Sequence, residues 1–251
     1  EHSMAQYAYF KKQFVPLAEA KVPIMTHALN YGTGVFEGIR GNWNSEEEQM
    51  YLFRVPEHYE RLHNSCRILG IGLPYTIDEL RNITLKFAAM CDIIEDVYIR
   101  PLSYKSAEVV GVWLHDLADD FLIFVTPFGA YLDVDKGARC GTVSWRRVED
   151  SMIPIWAKVT GLYVNSALAK TEAIHNGYDE GIMLPQDGHV AEGSGENLFL
   201  IHKGKLVTPP GYAGVLLGIT RNTVIQLAKD EFGIETEERP IDRSELYIAD
   251  E

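Results

Sequence analysis

The longest apolar stretch of this sequence runs from Phe121 to Leu132 and contains a break at Pro127-Phe128-Gly129-Ala130. The stretch is too short to span a bilayer, so we expect no membrane helix here. Proline and glycine punctuate regular structure, and this break lies near the middle of the chain. We therefore predict a junction between two domains, which a chain of 251 residues is long enough to form.

Helix and strand signals alternate before the break. Proline suits the first helical position, so Pro56-Glu57 predicts the start of a helix. Thr76 and Glu79 have the spacing of a capping box and predict the start of a second helix. The β-rich runs Val97–Ile99 and Phe121–Val125 predict strands.

Strands are expected to dominate the second half, with helices outside them. Val164–Asn176 and Arg221–Phe232 are the helix candidates, and the turn at His202–Lys205 predicts a hairpin. The sequence thus predicts an α+β chain of two domains. These are a small α/β domain over residues 1–127, a linker over 128–134 and a larger, barrel-like domain over 135–251.

Composition excludes several classes of function. The formal net charge of -13 repels phosphate backbones and anionic membranes, so we expect no nucleic-acid or membrane binding. The three cysteines are odd in number and include no C-x-x-C pair, which predicts reduced, mostly buried thiols: Cys66, Cys91 and Cys140. Glu1-His2-Ser3-Met4 resembles a tag remnant and no signal peptide follows, so we expect a cytoplasmic protein.

Lys158 lies in the apolar run Ile153–Gly161, where a charged side chain is unexpected. Desolvation lowers the pKa of a lysine and makes its amine a nucleophile toward an aldehyde. The alternative is a strand-edge lysine whose head reaches solvent. Lys170 is the contrast, because it lies on a predicted helix with other polar positions and is expected to be solvated.

Two glycines separate two carboxylates just before a predicted strand, in Glu192-Gly193-Ser194-Gly195-Glu196. Glycine lets a backbone approach a ligand closely, and a carboxylate there can hold a cationic ring nitrogen. The alternative is a bulged turn with two acids on the surface.

Two further positions are candidates for binding a phosphate. Thr220 is expected to be the N-cap of a helix, whose free backbone N–H groups attract anions. The alternative there is an ordinary capped helix. Arg61 offers a bidentate guanidinium, although a surface pair with Glu57 is the alternative.

Gly32-Thr33-Gly34 resembles the opening of a dinucleotide-binding loop. The third glycine falls at the wrong spacing and no clear strand precedes it, so we reject a Rossmann fold. The neighbouring Tyr31 and Phe36 either face a ligand or pack in the core.

These segments occur together in an order that is specific. The sequence resembles the branched-chain amino-acid aminotransferases, which are fold type IV enzymes that use pyridoxal 5′-phosphate (PLP). The matching segments span nearly the whole chain: Tyr31–Arg40, Glu57–Leu62, Tyr98–Leu102, Gly129–Tyr131, Lys158–Tyr163, Gly177–Glu180, Glu192–Phe199 and Gly218–Arg221.

The resemblance implies a role for each matching residue. Lys158 would form the Schiff base with PLP and move the α-proton. Glu192 would pair with the pyridine nitrogen, and Tyr163 would hydrogen-bond the phenolate oxygen. The phosphate would be held by Arg61, Ile219 and Thr220, and the ring would pack on Leu216. The substrate site would be lined by Tyr31, Phe36, Gly38, Tyr98, Arg100, Trp113 and Tyr131.

The implied reaction is a ping-pong exchange of amino groups between a branched-chain L-amino acid and 2-oxoglutarate. Arg100 is the candidate for the side-chain carboxylate of glutamate. The implied assembly is a homodimer or a higher homo-oligomer, with PLP between the two domains and a loop at residues 109–116 reaching over the partner's site. Enzymes of this kind continue beyond the position of Glu251 with a Gly-Thr-Ala stretch whose backbone binds phosphate and the substrate carboxylate, so the resemblance implies either a sequence that covers only part of the molecule or a truncated chain.

Three residues depart from the family pattern. Trp113 stands on the presumed substrate loop, where a small residue is usual. Ile155 and Trp156 stand just before Ala157-Lys158, where smaller or basic residues are usual. These departures suggest the hypothesis of an altered acceptor range.

Three other functions remain open at this point. On the same fold, a D-amino-acid or (R)-amine transaminase is the first alternative, and a PLP lyase that releases pyruvate is the second. The third, from another class, is a catalytically silent protein that binds PLP.

Overall fold

The computed structural model describes residues 7–129 and 135–251. The chain forms two compact units. The first unit comprises Glu1–Tyr131 and Ala157–Gly161, and the second comprises Leu132–Trp156 and Leu162–Glu251. The short segment that carries Lys158 therefore belongs by its contacts to the first unit. The functional domain boundaries stay a prediction, and most of the proposed linker lies outside the described residues.

A seven-stranded antiparallel sheet forms the centre of the first unit. The strand order is β2-β1-β7-β6-β4-β5, and β3 pairs with β6. The strands are β1 (Tyr7–Phe10), β2 (Gln13–Pro16), β3 (Gly34–Phe36), β4 (Ile39–Asn44), β5 (Gln49–Leu52), β6 (Val97–Lys105) and β7 (Asp119–Pro127). The two strands predicted from β-rich runs are parts of β6 and β7, which pair along their whole length.

Three helices accompany this sheet: α1 (His27–Tyr31), α2 (Val55–Leu69) and α3 (Ile77–Cys91). A proline lies in the first turn of α2. Thr76 caps α3 with the complete capping box that the sequence predicts. Fully buried side chains from α2, α3 and the central strands form the core: Tyr59, Leu62, Leu80, Phe87, Ile99 and Ile123.

The second unit contains two small sheets and two long helices. β8 (Cys140–Thr142) pairs in parallel with β9 (Glu180–Ile182). β10 (Leu200–His202), β11 (Lys205–Thr208) and β12 (Thr236–Glu238) form a three-stranded sheet in that order. The helices are α4 (Tyr163–His175) and α5 (Ile219–Phe232). One core cluster of this unit packs Leu184, Val190, Leu200, Val207 and Ile241.

The α+β class is confirmed, and so is the hairpin, because β10 and β11 pair antiparallel around its turn. The expectation that strands dominate the second half was wrong. The helices α4 and α5 have 13 and 14 residues, whereas the strands of this unit have three or four.

Within the described ranges, no helix is both long and apolar enough to cross a membrane. The three cysteines are free thiols, as expected. Cys66 and Cys91 are buried, whereas Cys140 is exposed.

Candidate active site

The backbone of Lys158 is fixed on both sides within the first unit. Its N–H donates to the Oγ of Ser65 on α2 at 3.1 Å. Its carbonyl accepts the N–H of Phe36, at the end of β3, at 3.0 Å. Ala157 and Val159 on either side are buried. The backbone of the segment that carries this side chain is thus held on both sides by the first unit.

The Phe36 ring brings two cationic side chains together. The Nζ of Lys158 lies 5.0 Å from the centroid of this ring. The guanidinium carbon of Arg100 lies 4.2 Å from the same centroid. Phe36 is itself buried, so both groups meet a desolvated aromatic surface. Three residues predicted from separate parts of the sequence therefore meet at one place.

Arg100 is oriented by Tyr98, two residues earlier on the same face of β6. The guanidinium donates from Nη2 to the Tyr98 hydroxyl at 3.1 Å. Gly38 leaves room for this tyrosine, because a Cβ at Gly38 would lie 2.1 Å from its hydroxyl oxygen. Among the residues that the structure describes, the buried Nε of Arg100 has no hydrogen-bond partner. Since a buried unpaired donor is costly, this atom suits an anionic ligand.

The Gly32-Thr33-Gly34 turn packs against the segment that carries Lys158. The Thr160 hydroxyl donates to the Gly32 carbonyl at 2.7 Å and accepts the Gly34 N–H at 3.2 Å. A Cβ at Gly32, where φ is +66°, would lie 2.7 Å from the Cα of Gly161. These glycines thus serve the close approach of two backbones, which agrees with rejecting a dinucleotide loop.

Arg61 is paired inside the first unit. Its Nε and Nη2 donate to the two oxygens of Glu37 at 2.7 and 2.6 Å, and His58 Nδ1 lies 2.7 Å from Glu37. Burial raises the pKa of Glu37, but hydrogen bonds from Arg61 and His58 outweigh it and lower the pKa to about 2. The surface alternative for Arg61 was therefore wrong, and Glu57 lies instead 3.8 Å from Arg54.

Tyr31 contacts the loop at residues 109–116. Its hydroxyl accepts the N–H of Gly111 at 3.1 Å. His27 Nε2 donates to the Gly111 carbonyl at 2.9 Å, which ties α1 to the same loop. Trp113 packs on this glycine and is 38% exposed. Tyr131, the last predicted substrate residue, lies outside the described residues.

Glu192 in the second unit is buried and held at both carboxylate oxygens. Oε1 accepts from Arg147 at 2.7 Å. Oε2 accepts the Leu216 N–H at 3.1 Å and Asn197 Nδ2 at 3.0 Å. The surface turn considered for this acid was therefore wrong. A carboxylate held at both oxygens keeps a fixed orientation, in which a remaining lone pair can accept from a further cationic group.

The start of α5 differs from the prediction. Gly218, not Thr220, is the N-cap, and among the described residues no side chain caps this end. Glycine is needed because a Cβ at Gly218 would lie 2.1 Å from Asn197 Oδ1. Ile219 and Thr220 thus lie in the first turn of a 14-residue helix. Their N–H groups fit an anion such as phosphate. Tyr163 is the first residue of α4.

Lys170 was expected to be solvated, and this expectation was wrong. Its Nζ lies 2.6 Å from Glu180 Oε2 and donates to the Asp179 carbonyl at 2.7 Å. Glu180 also accepts the N–H of Ser194 at 3.1 Å. The helix brings this lysine to a buried acid, and an ion pair then replaces solvent.

Glu196 and Glu180 form a pair of neighbouring acids, and the pKa of Glu196 is shifted far from its ordinary value. Burial and the neighbouring carboxylate of Glu180 raise the pKa of Glu196 to about 7. Burial also opposes ionisation of Glu180, but hydrogen bonds from Lys170 and Ser194 outweigh it and lower that pKa.

Three residues that hold candidate residues in place were not predicted: Ser65 in the first unit, and Arg147 and Asn197 in the second. Asn197 lies inside a segment that the sequence singled out, so its amide could have been considered. Arg147 carries no such signal, because the adjacent Arg146 is exposed and both look alike in sequence. Ser65 could have been suspected, since it lies one turn after Arg61 on α2.

Comparisons with known proteins agree with this geometry. Residues 34–251 match the family model described as amino-transferase class IV. The probable branched-chain-amino-acid aminotransferase of Aquifex aeolicus (strain VF5) is 51% identical over 245 residues, which are 98% of this chain and 79% of that protein. The branched-chain-amino-acid aminotransferase of Escherichia coli (strain K12) is 41% identical over 258 residues, covering 98% of this chain and 80% of that protein.

Solved structures of similar proteins have the same fold. The branched-chain aminotransferase of Thermoproteus uzoniensis with norvaline has a TM-score of 0.93 at 46% identity, covering 97% of this chain and 81% of that one. The enzyme of Thermobaculum terrenum in its PLP form has a TM-score of 0.93 at 37% identity, covering 99% of this chain and 81% of that one. This chain belongs to the class IV aminotransferases, a family of PLP-dependent enzymes of fold type IV.

Proposed function

We propose that this protein transfers the amino group of a branched-chain L-amino acid (leucine, isoleucine or valine) to 2-oxoglutarate in a ping-pong reaction. The observation that carries the proposal is the meeting of Lys158 and Arg100 at the Phe36 ring. The names of the relatives support the amino-acid class. One related structure contains norvaline, and another contains N-(5′-phosphopyridoxyl)-L-glutamate.

The residues fit PLP in their chemistry. Two observations support this fit: the start of α5, at which no described side chain makes a cap hydrogen bond, and the buried carboxylate of Glu192. When bound, PLP withdraws the electrons released at the substrate Cα. We assign the contacts as follows: Lys158 to the aldehyde, Glu192 to the ring nitrogen, Tyr163 to the phenolate oxygen, Leu216 to the ring face, and Arg61, Ile219 and Thr220 to the phosphate.

Lys158 is proposed to accept and return the substrate α-proton at Nζ. A proton carrier must be held in a fixed place, and the backbone bonds of Lys158 to Ser65 and Phe36 provide this.

Arg100 is proposed to distinguish the two classes of substrate. Its free Nε and its fixed guanidinium suit the side-chain carboxylate of 2-oxoglutarate or glutamate. The aromatic rings of Phe36 and Tyr98 provide apolar surface for a branched aliphatic side chain. One site thus accepts both substrates in turn, as ping-pong exchange requires.

We also propose that the protein works as a homodimer in the cytoplasm. The loop at residues 109–116 supports self-association, because Val110 and Val112 are 74% and 88% exposed. The free cysteines support a reducing compartment.

The test is a half-reaction with the PLP-loaded protein and L-leucine in the absence of a 2-oxo acid. We expect one equivalent of the 2-oxo acid per site, and none from Lys158→Ala. Borohydride reduction followed by peptide mapping should place the cofactor on Lys158. Lys205→Ala, which removes an exposed lysine, is the control and should behave like the parent protein. Faster turnover of D-leucine, or labelling of another lysine, would contradict the proposal.

A further inference from the structure

Arg147 is a buried charge in the second unit that the proposed chemistry does not use. Its side chain is 5% exposed, and its Nη2 lies 2.7 Å from Glu192 Oε1. Arginine keeps its proton in proteins, so this pair always places a full positive charge beside Glu192.

Arg147 is itself fixed by the backbone around it. Its Nε donates to the Gly214 carbonyl at 2.9 Å, and its own N–H donates to the Leu184 carbonyl at 2.9 Å. Gly214 adopts φ of +77°, and a Cβ there would lie 3.2 Å from Arg147 Cγ. A guanidinium held in this way cannot follow a moving partner, so it defines where the glutamate lies.

The remaining oxygen of Glu192 has its own donors. Asn197 Nδ2 contacts Oε2 at 3.0 Å and also donates to the Leu216 carbonyl at 2.9 Å. Leu216 returns its N–H to the same carboxylate oxygen at 3.1 Å. Each oxygen is therefore oriented by a different set of donors, and rotation of the carboxylate would break both.

Burial of a carboxylate without a cation favours its protonated form. A protonated Glu192 has lost the negative charge that a pyridinium nitrogen needs. Arg147 also weakens the attraction between Glu192 and the ring nitrogen, because its positive charge partly neutralises the carboxylate. The first effect dominates, because a neutral acid offers no ion pair at all.

We propose that Arg147 is a positioning residue that keeps Glu192 ionised and oriented toward the cofactor ring nitrogen. The inference rests on the role proposed for Glu192. It predicts that Arg147 acts through Glu192 alone and that its effect depends on pH.

The first experiment uses the apoprotein, so it does not depend on cofactor binding. Carbon-13 NMR of glutamate-labelled protein follows the Glu192 carboxyl, assigned by its loss in Glu192→Gln. We expect Arg147→Gln to raise the protonation midpoint of Glu192 by more than about one pH unit. Arg147→Lys should restore most of the shift, and the matched control Arg146→Gln should leave the midpoint unchanged. An equal midpoint in the parent protein and Arg147→Gln would overturn the proposal.

The second experiment measures the dissociation constant of PLP between pH 6 and 8. In Arg147→Gln we expect affinity to fall about tenfold or more toward the acid end, whereas the parent protein changes little. In the Glu192→Gln background the same substitution should have no pH-dependent effect. A uniform loss at every pH would mean a structural role and would overturn the inference. Failure of the parent protein to bind PLP would instead refute the proposed function, and Arg147→Lys provides the comparison if Arg147→Gln does not fold.

Discussion

Two arginines that pair with buried glutamates define the chemistry of this protein at the scale of single residues. Arg61 holds Glu37 in the first unit and Arg147 holds Glu192 in the second. Each pair gives a buried carboxylate a cationic partner. Both acids lie in segments that the sequence singles out, but neither partner could be assigned from sequence, because side-chain pairing across the fold leaves no local pattern.

Substitution of Glu37 tests the first of these pairs. Glu37→Gln should cost about 3–5 kcal/mol of unfolding free energy, because it removes the fully buried carboxylate that pairs with the part-buried Arg61 charge. The pKa of Glu37 lies at about 2 instead of 4.5, so its stabilisation is complete above the ordinary value and is lost as the pH falls toward 2. Thermal unfolding between pH 6 and 3 should therefore depend less steeply on pH in Glu37→Gln. A variant as stable as the parent protein would contradict this.

A second prediction at the scale of single residues concerns Arg100, which is proposed to recognise the side-chain carboxylate of glutamate and 2-oxoglutarate. Arg100→Gln should lower kcat/KM for glutamate at least about tenfold, because charge-assisted hydrogen bonds contribute about 1.5–3 kcal/mol. The leucine half-reaction should change far less, since it needs only apolar contacts. Single-turnover kinetics with both amino acids measure the difference, with the exposed Arg67→Gln as control. Equal losses for both substrates would exclude selective recognition by Arg100.

At the scale of elements, two glycine-containing turns position the chemistry. The turn after α1 receives the Lys158 segment through Gly32 and Thr160. The loop from Glu192 to Asn197 returns to the Met183 backbone, whose N–H donates to the Glu192 carbonyl at 2.9 Å. For Gly193 and Gly195 the sequence predicted close approach to a ligand, whereas for Gly32 and Gly34 it only excluded a dinucleotide-binding loop. The close approach at Gly32 depends on Gly161, which is far away in sequence.

The close approach of the Gly32 and Gly161 backbones can be tested by substitution, with a glycine of similar backbone conformation as the control. Gly32 has φ of +66° and meets Gly161, whereas Gly70 has φ of +61° and has no atom near its missing Cβ. Gly70→Ala should cost about 1–2 kcal/mol through the left-handed conformation alone. Gly32→Ala should cost more, because its Cβ displaces the backbone next to Lys158, and should also slow borohydride labelling of that lysine. Equal unfolding free energies for the two variants would argue against the close approach.

Glu196 makes the Glu192 loop sensitive to pH. Its pKa is raised to about 7, so its contribution to stability is present below the ordinary value of 4.5 and is lost as the pH rises through about 7. Glu196→Gln should remove this loss. Unfolding free energies at pH 5 and 8 measure the effect, and the exposed Glu231→Gln serves as control. The same pH dependence in Glu196→Gln and the parent protein would contradict the raised pKa.

At the scale of the whole molecule, the chain leaves the first unit near Tyr131 and returns to it only for Ala157–Gly161. That return brings Lys158 to Ser65 on α2, 93 residues earlier in the chain. The sequence showed a break near Pro127, but it did not predict that Ala157–Gly161 packs with the first unit. A segment of this length is too short to have a periodic pattern.

The prediction at the scale of the whole molecule is that the protein associates with itself through the loop at residues 109–116. Val112 is 88% exposed, and burying a valine side chain contributes about 1.5–3 kcal/mol. Val112→Asp should therefore shift a dimer toward the monomer in sedimentation velocity. Ile94→Asp, at an exposed position between α3 and β6, should not. A monomeric parent protein, or a dimer that tolerates Val112→Asp, would remove the support for this loop as an interface.

The sequence by itself determined the elements with local causes and the family. The α3 capping box, the β10–β11 hairpin, the glycine turns and the order of the aminotransferase segments all depend on residues close together in the chain. Only the tertiary structure decided that Gly218 and not Thr220 caps α5, that Lys170 pairs with Glu180, and that Arg147 holds Glu192. The physical reason is that a buried charge takes whichever partner the fold brings within hydrogen-bonding distance, and that partner is distant in sequence.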